Sequence, residues 1–368
     1  MSELTELREK IRGLDEKILR LVAERLDVAR RIGQAKIDQN LPVKDYKVEK
    51  AVIERARAIA ASIGLDPDFS EEIQQSLIKF ACNVQEETKG RAVADSPSRA
   101  RRRILLVGGQ GAMGRWFAGY FEAFGHDVTL YDIVKPALAA PFPIAADLEA
   151  GAREADVIVL CTPIERTGEA IERLTHSGTK ALVFDICSLK SPFLEHFRKA
   201  ESAGLKIVSI HPMFGPGVKW LNGRKILLLD GAHPAYTDEA KTLFEESSAE
   251  LIRLGIDRHD ELVGRILGLS HLVSLLFAGT LAARGPGFSE LRGVGSTTFD
   301  AQVGVSGAVV RESPDLYFAI QALNLHSPEL LGLFEEQLSA FSAAIRGKDR
   351  AGFRELMEKG RRYFEEKP

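Results

Sequence analysis

Residues 209–217, SIHPMFGPG, set one histidine, His211, between an apolar run and a turn stiffened by Pro212, Gly215, Pro216 and Gly217. Histidine is the side chain best suited to move a proton near neutral pH. Two other apolar runs end in polar loops: CTPIERT (161–167), and DICSLKS (185–191) with Ser188 and Lys190. Upstream, ILLVGGQGAMGRW spaces Gly109, Gly111 and Gly114 as G-x-G-x-x-G between an expected strand and an expected helix. Glycines there let the backbone approach a pyrophosphate, which rests on the positive end of the helix dipole. Gln110, Ala112 and Met113 complete that loop, and Thr162 and Pro163 open the loop on a neighbouring strand; all are candidate cofactor contacts. Asp132 ends DVTLYD, where an acid accepts from the adenosine ribose 2′-hydroxyl and repels a 2′-phosphate. The cofactor expected is therefore NAD rather than NADP, with Lys135 the one nearby feature that pulls the other way.

These loops need a scaffold, and the hydrophobic periodicity supplies one. A charged amphipathic helix is predicted from Glu3 to about Asn40, with apolar positions such as Leu7, Ile11, Leu14, Ile18 and Leu21 at helical spacing. A second helix is expected over 46–61, a turn at GLDPDF, and a third over 70–87. Three such helices enclose too small a core to support one that long alone, so a partner chain is expected. The polar, basic stretch TKGRAVADSPSRARRR then reads as a linker, placed at 89–102. Six short β-rich runs separated by helix-length intervals follow, the pattern of a parallel doubly wound sheet over 103–258. Ligands bind such a sheet at the carboxyl ends of its strands, which places His211 toward the nicotinamide end of the cleft. From 259 to 368 only helical patterns remain, a third and all-helical segment.

Composition limits the function classes. The formal net charge of −3 offers no global attraction to nucleic acid or to an anionic membrane. Cys82, Cys161 and Cys187 lie far apart without metal-ligand or disulfide spacing, so buried thiols in a reducing compartment are expected, and no metal. The chain is charged from Glu3 onward, so no signal peptide is expected and the location expected is cytoplasmic. ILGLSHLVSLLFAGTLAA, from Ile266, carries Ser270, His271, Ser274 and Thr280 and is read as a helix buried in a bundle rather than a membrane span.

The glycine loop, DICSLK and HPMFGP followed by a helical domain resemble prephenate dehydrogenase. The front segment, LREKIRGLDEKILRLVAERLDVARRIGQAK with VKDYKVE, resembles the all-helical chorismate mutase, so nearly the whole chain matches a known bifunctional arrangement. The resemblance implies three domains: an all-α mutase forming an intertwined dimer (1–88), a Rossmann-type NAD-binding α/β domain (103–258) and an all-α dimerisation domain (259–368). It implies that chorismate is rearranged to prephenate, which is then oxidatively decarboxylated to 4-hydroxyphenylpyruvate on the way to tyrosine. In that reading His211 is the catalytic base for the 4-hydroxyl, Lys190 answers a carboxylate and Ser188 orients the hydroxyl or His211. The family arginine preceding a DP-x-LY-like turn is replaced by Ala308 before SPDLY. Arg311, three residues on and expected one helical turn along the same face, is the candidate substitute. His259 and His271 fall where the family has histidines, His271 being a candidate substrate contact.

The mutase needs no nucleophile, only selection of a compact conformer and stabilisation of charge on the breaking ether oxygen. Arg25 and Lys36, eleven residues apart, share one helix face; Arg8 lies roughly 25 Å from Arg25 along a straight helix. By the resemblance, Arg8 of the partner subunit and Arg25 bind carboxylates, Lys36 and Gln85 face the ether oxygen, and Glu49 with Asp45 takes the hydroxyl. This chain departs from the family at Val48, often arginine, where Lys47 is the candidate replacement, and at Ala81, often serine. The alternative readings are a prephenate or arogenate dehydrogenase whose front helices only dimerise or regulate, and a generic β-hydroxyacid dehydrogenase. The latter lacks an evident catalytic lysine here. Tyrosine is the expected feedback effector.

Overall fold

The computed structural model describes residues 2–365 apart from 40, 42, 44, 95–100 and 135–140. It divides into two compact units, residues 1–187 with 195–255, and residues 188–194 with 256–368.

The first unit opens with α1 (Glu3–Asp38), α2 (Tyr46–Ile63) and α3 (Pro67–Ala94). Asp45 caps α2 by accepting from the backbone N–H groups of Lys47 and Val48, and Gly64 ends it in the left-handed conformation, φ 73°. Of the 36 residues of α1 only Ala29 and Gly33 are buried. Its apolar row at Leu7, Ile11, Leu14, Ile18 and Leu21 stays about half exposed, because α3, the helix that packs on α1, covers its later turns, where Ala29 and Gly33 are buried. The third helix runs past the expected end at 87 and takes up the first six residues of the expected linker. No proline interrupts it before Pro97, and Lys89 in its final turns pairs with Glu246 at 2.6 Å. Residues 95–100 of the expected linker lie outside the described residues.

The sheet is formed by β1 (Arg103–Val107), β2 (Asp127–Tyr131), β3 (Val157–Leu160), β4 (Leu182–Asp185), β5 (Ile207–Pro212), β6 (Lys225–Asp230) and β7 (Glu250–Gly255) in the order β2-β1-β3-β4-β5-β6-β7. The first five strands are parallel, joined through α4 (Ala112–Ala123), α5 (Leu148–Glu154), α6 (Ile164–His176) and α7 (Leu194–Ser202). Contrary to the all-parallel expectation, β6 runs antiparallel to β5. The connection after Pro212 holds no helix to carry the chain back across the sheet, and a parallel pair needs such a crossover. β7, reached through α8 (Pro234–Lys241), was not foreseen. Its half-exposed edge position admits Glu250 and Arg253, which break the apolar run expected of a strand. Phe117, Tyr120 and Phe121 of α4 pack with Phe184 and Phe244 over the sheet, each ring contributing roughly 1.5–3 kcal/mol by burial. Cys82 and Cys187 are buried as expected, whereas Cys161, in the loop after β3, is half-buried.

The second unit is helical: α9 (Ile256–Val263), a π-helical stretch (Gly264–Leu269), α10 (Ser270–Ala283), α11 (Phe288–Gly293), α12 (Thr297–Val309), α13 (Pro314–Ala322), α14 (Ser327–Arg346) and α15 (Arg350–Glu365). The expected burial of the apolar helix is corrected. The run Ile256–Ala283 is long and apolar enough to cross a membrane, and only 11% of its most apolar window is buried within the chain. The neighbouring helices of a single chain leave much of its surface uncovered.

Candidate active sites

The glycine loop begins where β1 ends. Gly108 turns with φ 79°, a backbone that side chains rarely adopt, and a Cβ there would stand 2.6 Å from the Cys161 carbonyl oxygen. Sequence reasoning missed Gly108, although the doubled glycine 108–109 was its signal. A Cβ on Gly114 would meet the Gly108 carbonyl oxygen at 2.5 Å, and one on Gly109 would meet Leu130 at 2.9 Å. Helix α4 therefore starts tight against β1, with Gly111 as its cap and Gly111 and Ala112 exposed. Its first-turn N–H groups have no intrahelical acceptor and point out of the helix end. This cradle fits a dinucleotide pyrophosphate. Asp132 takes the Gln110 N–H on Oδ2 at 2.9 Å and the Val134 N–H on Oδ1 at 3.0 Å, fixing a half-buried carboxylate beside the loop with lone pairs to spare. Lys135 lies outside the described residues. On the next loop the Thr162 hydroxyl meets that of Thr167 at 2.8 Å, and Thr167 reaches the Pro163 carbonyl at 3.1 Å and the Cys187 thiol at 3.1 Å, so the loops after β3 and β4 are tied together.

His211 sits at the end of β5, in register with Leu227 of β6, and is 3% exposed. Two residues earlier on the same face of the strand, Ser209 donates to Asp185 Oδ2 at 2.5 Å, while the Cys187 N–H donates to Asp185 Oδ1 at 2.9 Å. Sequence reasoning passed over this buried Asp185–Ser209 pair, which fixes the end of β4 against β5.

Ser188 and Lys190 follow β4 in the segment that belongs with the helical unit. Lys190 is buried, its ammonium 5.9 Å from the centre of the Phe193 ring. One carboxylate organises this segment. Asp260 of α9 accepts from the Lys190 N–H at 3.0 Å, the Ser191 N–H at 2.6 Å, the Ser191 hydroxyl and His259 Nδ1 at 2.6 Å. Burial pushes the Asp260 carboxyl up, but the His259 and Ser191 donors outweigh it and hold its pKa at about 2. His271 stacks on Tyr317 with ring centres 4.3 Å apart, and burial lowers its pKa, keeping the imidazole neutral near pH 7. Arg311 does not continue the α12 face as expected, because the helix ends at Val309. Its guanidinium folds back beside Gly307 and lines a cavity of about 520 Å³ with Phe277, Phe288 and Val303.

Among the front helices, Arg25 of α1 donates to the Leu77 carbonyl at 2.9 Å and Lys36 to the Val43 carbonyl at 2.5 Å. Gln85 of α3 is buried against Gly33, where a Cβ would stand 3.1 Å from its Cγ. Its Oε1 has no hydrogen-bond partner among the described residues. A buried polar atom left unpaired costs about 1–3 kcal/mol, so this oxygen has capacity for a donor from a ligand or a water. Glu49 receives the Cys82 thiol at 3.8 Å. Asp45 is occupied as the α2 cap, Arg8 is exposed near the start of α1, Val48 is exposed and Ala81 is buried. The structure thus brings Arg25, Lys36, Glu49 and Gln85 onto three packed helices and leaves Arg8 apart from them.

Residues 7–86 match the family Chorismate mutase type II, residues 118–250 the Prephenate dehydrogenase nucleotide-binding domain, and residues 256–359 the Prephenate dehydrogenase dimerization domain. The glycine loop lies just ahead of the second match. The T-protein of Haemophilus influenzae is 25% identical over 369 residues, covering 99% of this chain and 93% of its own. The T-protein of Enterobacter agglomerans is 25% identical over 349 residues, covering 94% and 88%. Prephenate dehydrogenase from A. aeolicus, solved with hydroxyphenyl propionate and NAD+, shares the fold at a TM-score of 0.57 and 18% identity, over 72% of this chain and 97% of that one. The chain belongs to the bifunctional family in which a type II chorismate mutase is joined to a prephenate dehydrogenase.

Proposed function

We propose that the chain rearranges chorismate to prephenate on its front helices, then converts prephenate to 4-hydroxyphenylpyruvate at the carboxyl end of its sheet. The observation that carries this reading is the family order of all three domains along a single chain, with the glycine cradle and His211 on the strand ends of the middle one. Bound NAD supplies the hydride acceptor for the hydrogen leaving C4. His211 accepts the proton of the 4-hydroxyl as that carbon is oxidised, and loss of the ring carboxylate as carbon dioxide aromatises the ring. Lys190 answers a substrate carboxylate and Ser188 orients the hydroxyl; neutral His271 is a further substrate contact. Gly109, Gly111 and Gly114 admit the pyrophosphate, Gln110, Ala112 and Met113 line it, Asp132 takes the ribose, and Thr162 and Pro163 bound the nicotinamide side. Arg311 is the proposed stand-in for the arginine absent at Ala308.

On the mutase side Arg25 binds a carboxylate, Lys36 and Gln85 stabilise the ether oxygen, and Glu49 with Asp45 takes the hydroxyl. The exposed apolar row of α1 supports an intertwined homodimer in which Arg8 of the partner subunit completes the site. Tyrosine is the proposed feedback effector and the cytoplasm the proposed location. The exposed Val48 and apolar Ala81 favour one second reading, a dehydrogenase whose front helices only dimerise.

Purified protein supplied with chorismate and NAD, with chorismate loss and NADH formation followed in one cuvette, separates the two. NADH from both chorismate and prephenate is expected; NADH from prephenate without chorismate loss establishes the second reading. His211→Asn is expected to lower the prephenate-dependent kcat by roughly 10²- to 10⁴-fold and to leave chorismate loss unchanged.

A further inference from the structure

The long apolar run of the helical unit is not α-helical throughout. Its π-helical stretch, Gly264–Leu269, joins α9 to α10, and His271 is the second residue of α10. A turn widened to i→i+5 upsets the one-to-one pairing of carbonyls with N–H groups, and such turns recur at functional sites. Here side chains take up carbonyls on and beside the widened turn. The Asn324 amide donates to the Asp260 carbonyl at 2.9 Å, the Ser270 hydroxyl to the Ile266 carbonyl, and the Gln321 amide to the Gly268 carbonyl at 2.8 Å. Ser270 acts within its own run of helix. Gln321 comes from α13 and ties that helix to the backbone three residues before His271.

The same face of α13 makes a second contact. Tyr317, four residues and so about one turn before Gln321, lays its ring on the His271 imidazole with centres 4.3 Å apart and planes 27° apart. Helix α13 therefore holds this segment twice, at Gly268 by a hydrogen bond and at His271 by a ring. The stack leaves the imidazole free to slide in its own plane unless the backbone that carries it is fixed, and the Gln321 bond supplies that fixture. What is at stake is the direction of the ring nitrogens. His271 Nδ1 is buried with no hydrogen-bond partner among the described residues.

We propose that Gln321 is a positioning residue for prephenate binding: by holding the Gly268 carbonyl it sets the π-helical turn, and through that turn the imidazole of His271 against Tyr317. The inference rests on the reading of His271 as a substrate contact. Gln321 itself touches neither substrate nor cofactor. Its effect reaches the substrate only through the placement of His271, so a small shift of the turn weakens a hydrogen bond that the reaction relies on for orientation.

The test uses three full-length variants: Gln321→Met, which keeps the length of the side chain and removes its donor, His271→Asn, and the two combined. Gln321→Met is expected to raise the KM for prephenate roughly 5- to 10-fold, the effect of one neutral hydrogen bond. Its kcat and its KM for NAD are expected to stay within about twofold, since the proton goes to His211, and the retained kcat shows that the helical unit is folded. In the His271→Asn background the same change is expected to move the KM less than about twofold, because residues that act as one unit are not additive. A wild-type KM in Gln321→Met, with a raised KM in His271→Asn, overturns the proposal alone. A wild-type KM in His271→Asn overturns the reading of that histidine and the proposal with it. A rise from Gln321→Met that persists in full in the combined variant shows that Gln321 acts by another route, and the proposal fails. Should Gln321→Met not fold, Gln321→Glu, of similar shape but with a carboxylate that cannot donate, is read the same way.

Discussion

Asp260 shows how much one carboxylate can organise. Its oxygens take donors from Lys190, Ser191 and His259, and the Asn324 amide donates to its backbone carbonyl at 2.9 Å. A carboxyl held below its ordinary value contributes stability that is present above the unfolded pKa, about 3.9, and is lost as pH falls toward the folded value of about 2. Asp260→Asn keeps the shape but replaces one acceptor oxygen by a donor. It is expected to cost about 2 kcal/mol at pH 7, with the gap in Tm to the wild type closing between about pH 4 and pH 2 in thermal unfolding. The same variant is expected to slow prephenate oxidation more than chorismate rearrangement, because the Lys190 segment loses its anchor while the front helices are untouched. His211 could be read from the sequence because its neighbours announced a turn after a strand. Asp260 could not, since Lys190 and Ser191, whose N–H groups it takes, stand 70 and 69 residues away in the chain and only folding makes them adjacent.

At the scale of elements, the start of α4 depends on absent side chains. Gly114→Ala would place a methyl 2.5 Å from a backbone oxygen that no rotamer change can move. NAD binding, titrated through protein fluorescence, is expected to weaken at least about tenfold as the helix end shifts from the pyrophosphate, with chorismate turnover retained. The first six strands were legible as apolar β-rich runs, and the helix after the glycine loop followed from the motif. The direction of β6 was not, because a run such as KILLLD reads the same whichever way it pairs. The missing helix between His211 and Lys225 decided it.

Across the molecule, buried polar groups bind the front helices to the sheet domain. Glu86 of α3 is buried beside Ser248, whose N–H it accepts at 3.4 Å, and burial raises its pKa despite that contact. A carboxyl raised in the folded state burdens stability at neutral pH. The burden is absent below the unfolded value, about 4.3, and grows as pH rises through the folded one. Glu86→Gln is therefore expected to raise Tm at pH 7, with the gain over wild type vanishing toward pH 4 in parallel melts. The uncovered apolar surfaces of α1 and of the Ile256–Ala283 run carry the other consequence at this scale. Sedimentation is expected to show a homodimer, since neither surface is buried within one chain.

By itself the sequence determined the three-part organisation and the glycine spacing after the first strand, and it singled out His211 at a strand end. Each is written in local patterns: periodicity, glycine spacing, and residues flanking a strand end. Tertiary structure alone decided that Asp260 anchors the Lys190 segment, that Asp185 and Ser209 lock the strand beside His211, and that Gln321 holds the Gly268 carbonyl. Those pairings join positions far apart in the chain, and no local propensity encodes which distant groups a closed fold brings within hydrogen-bonding or electrostatic range.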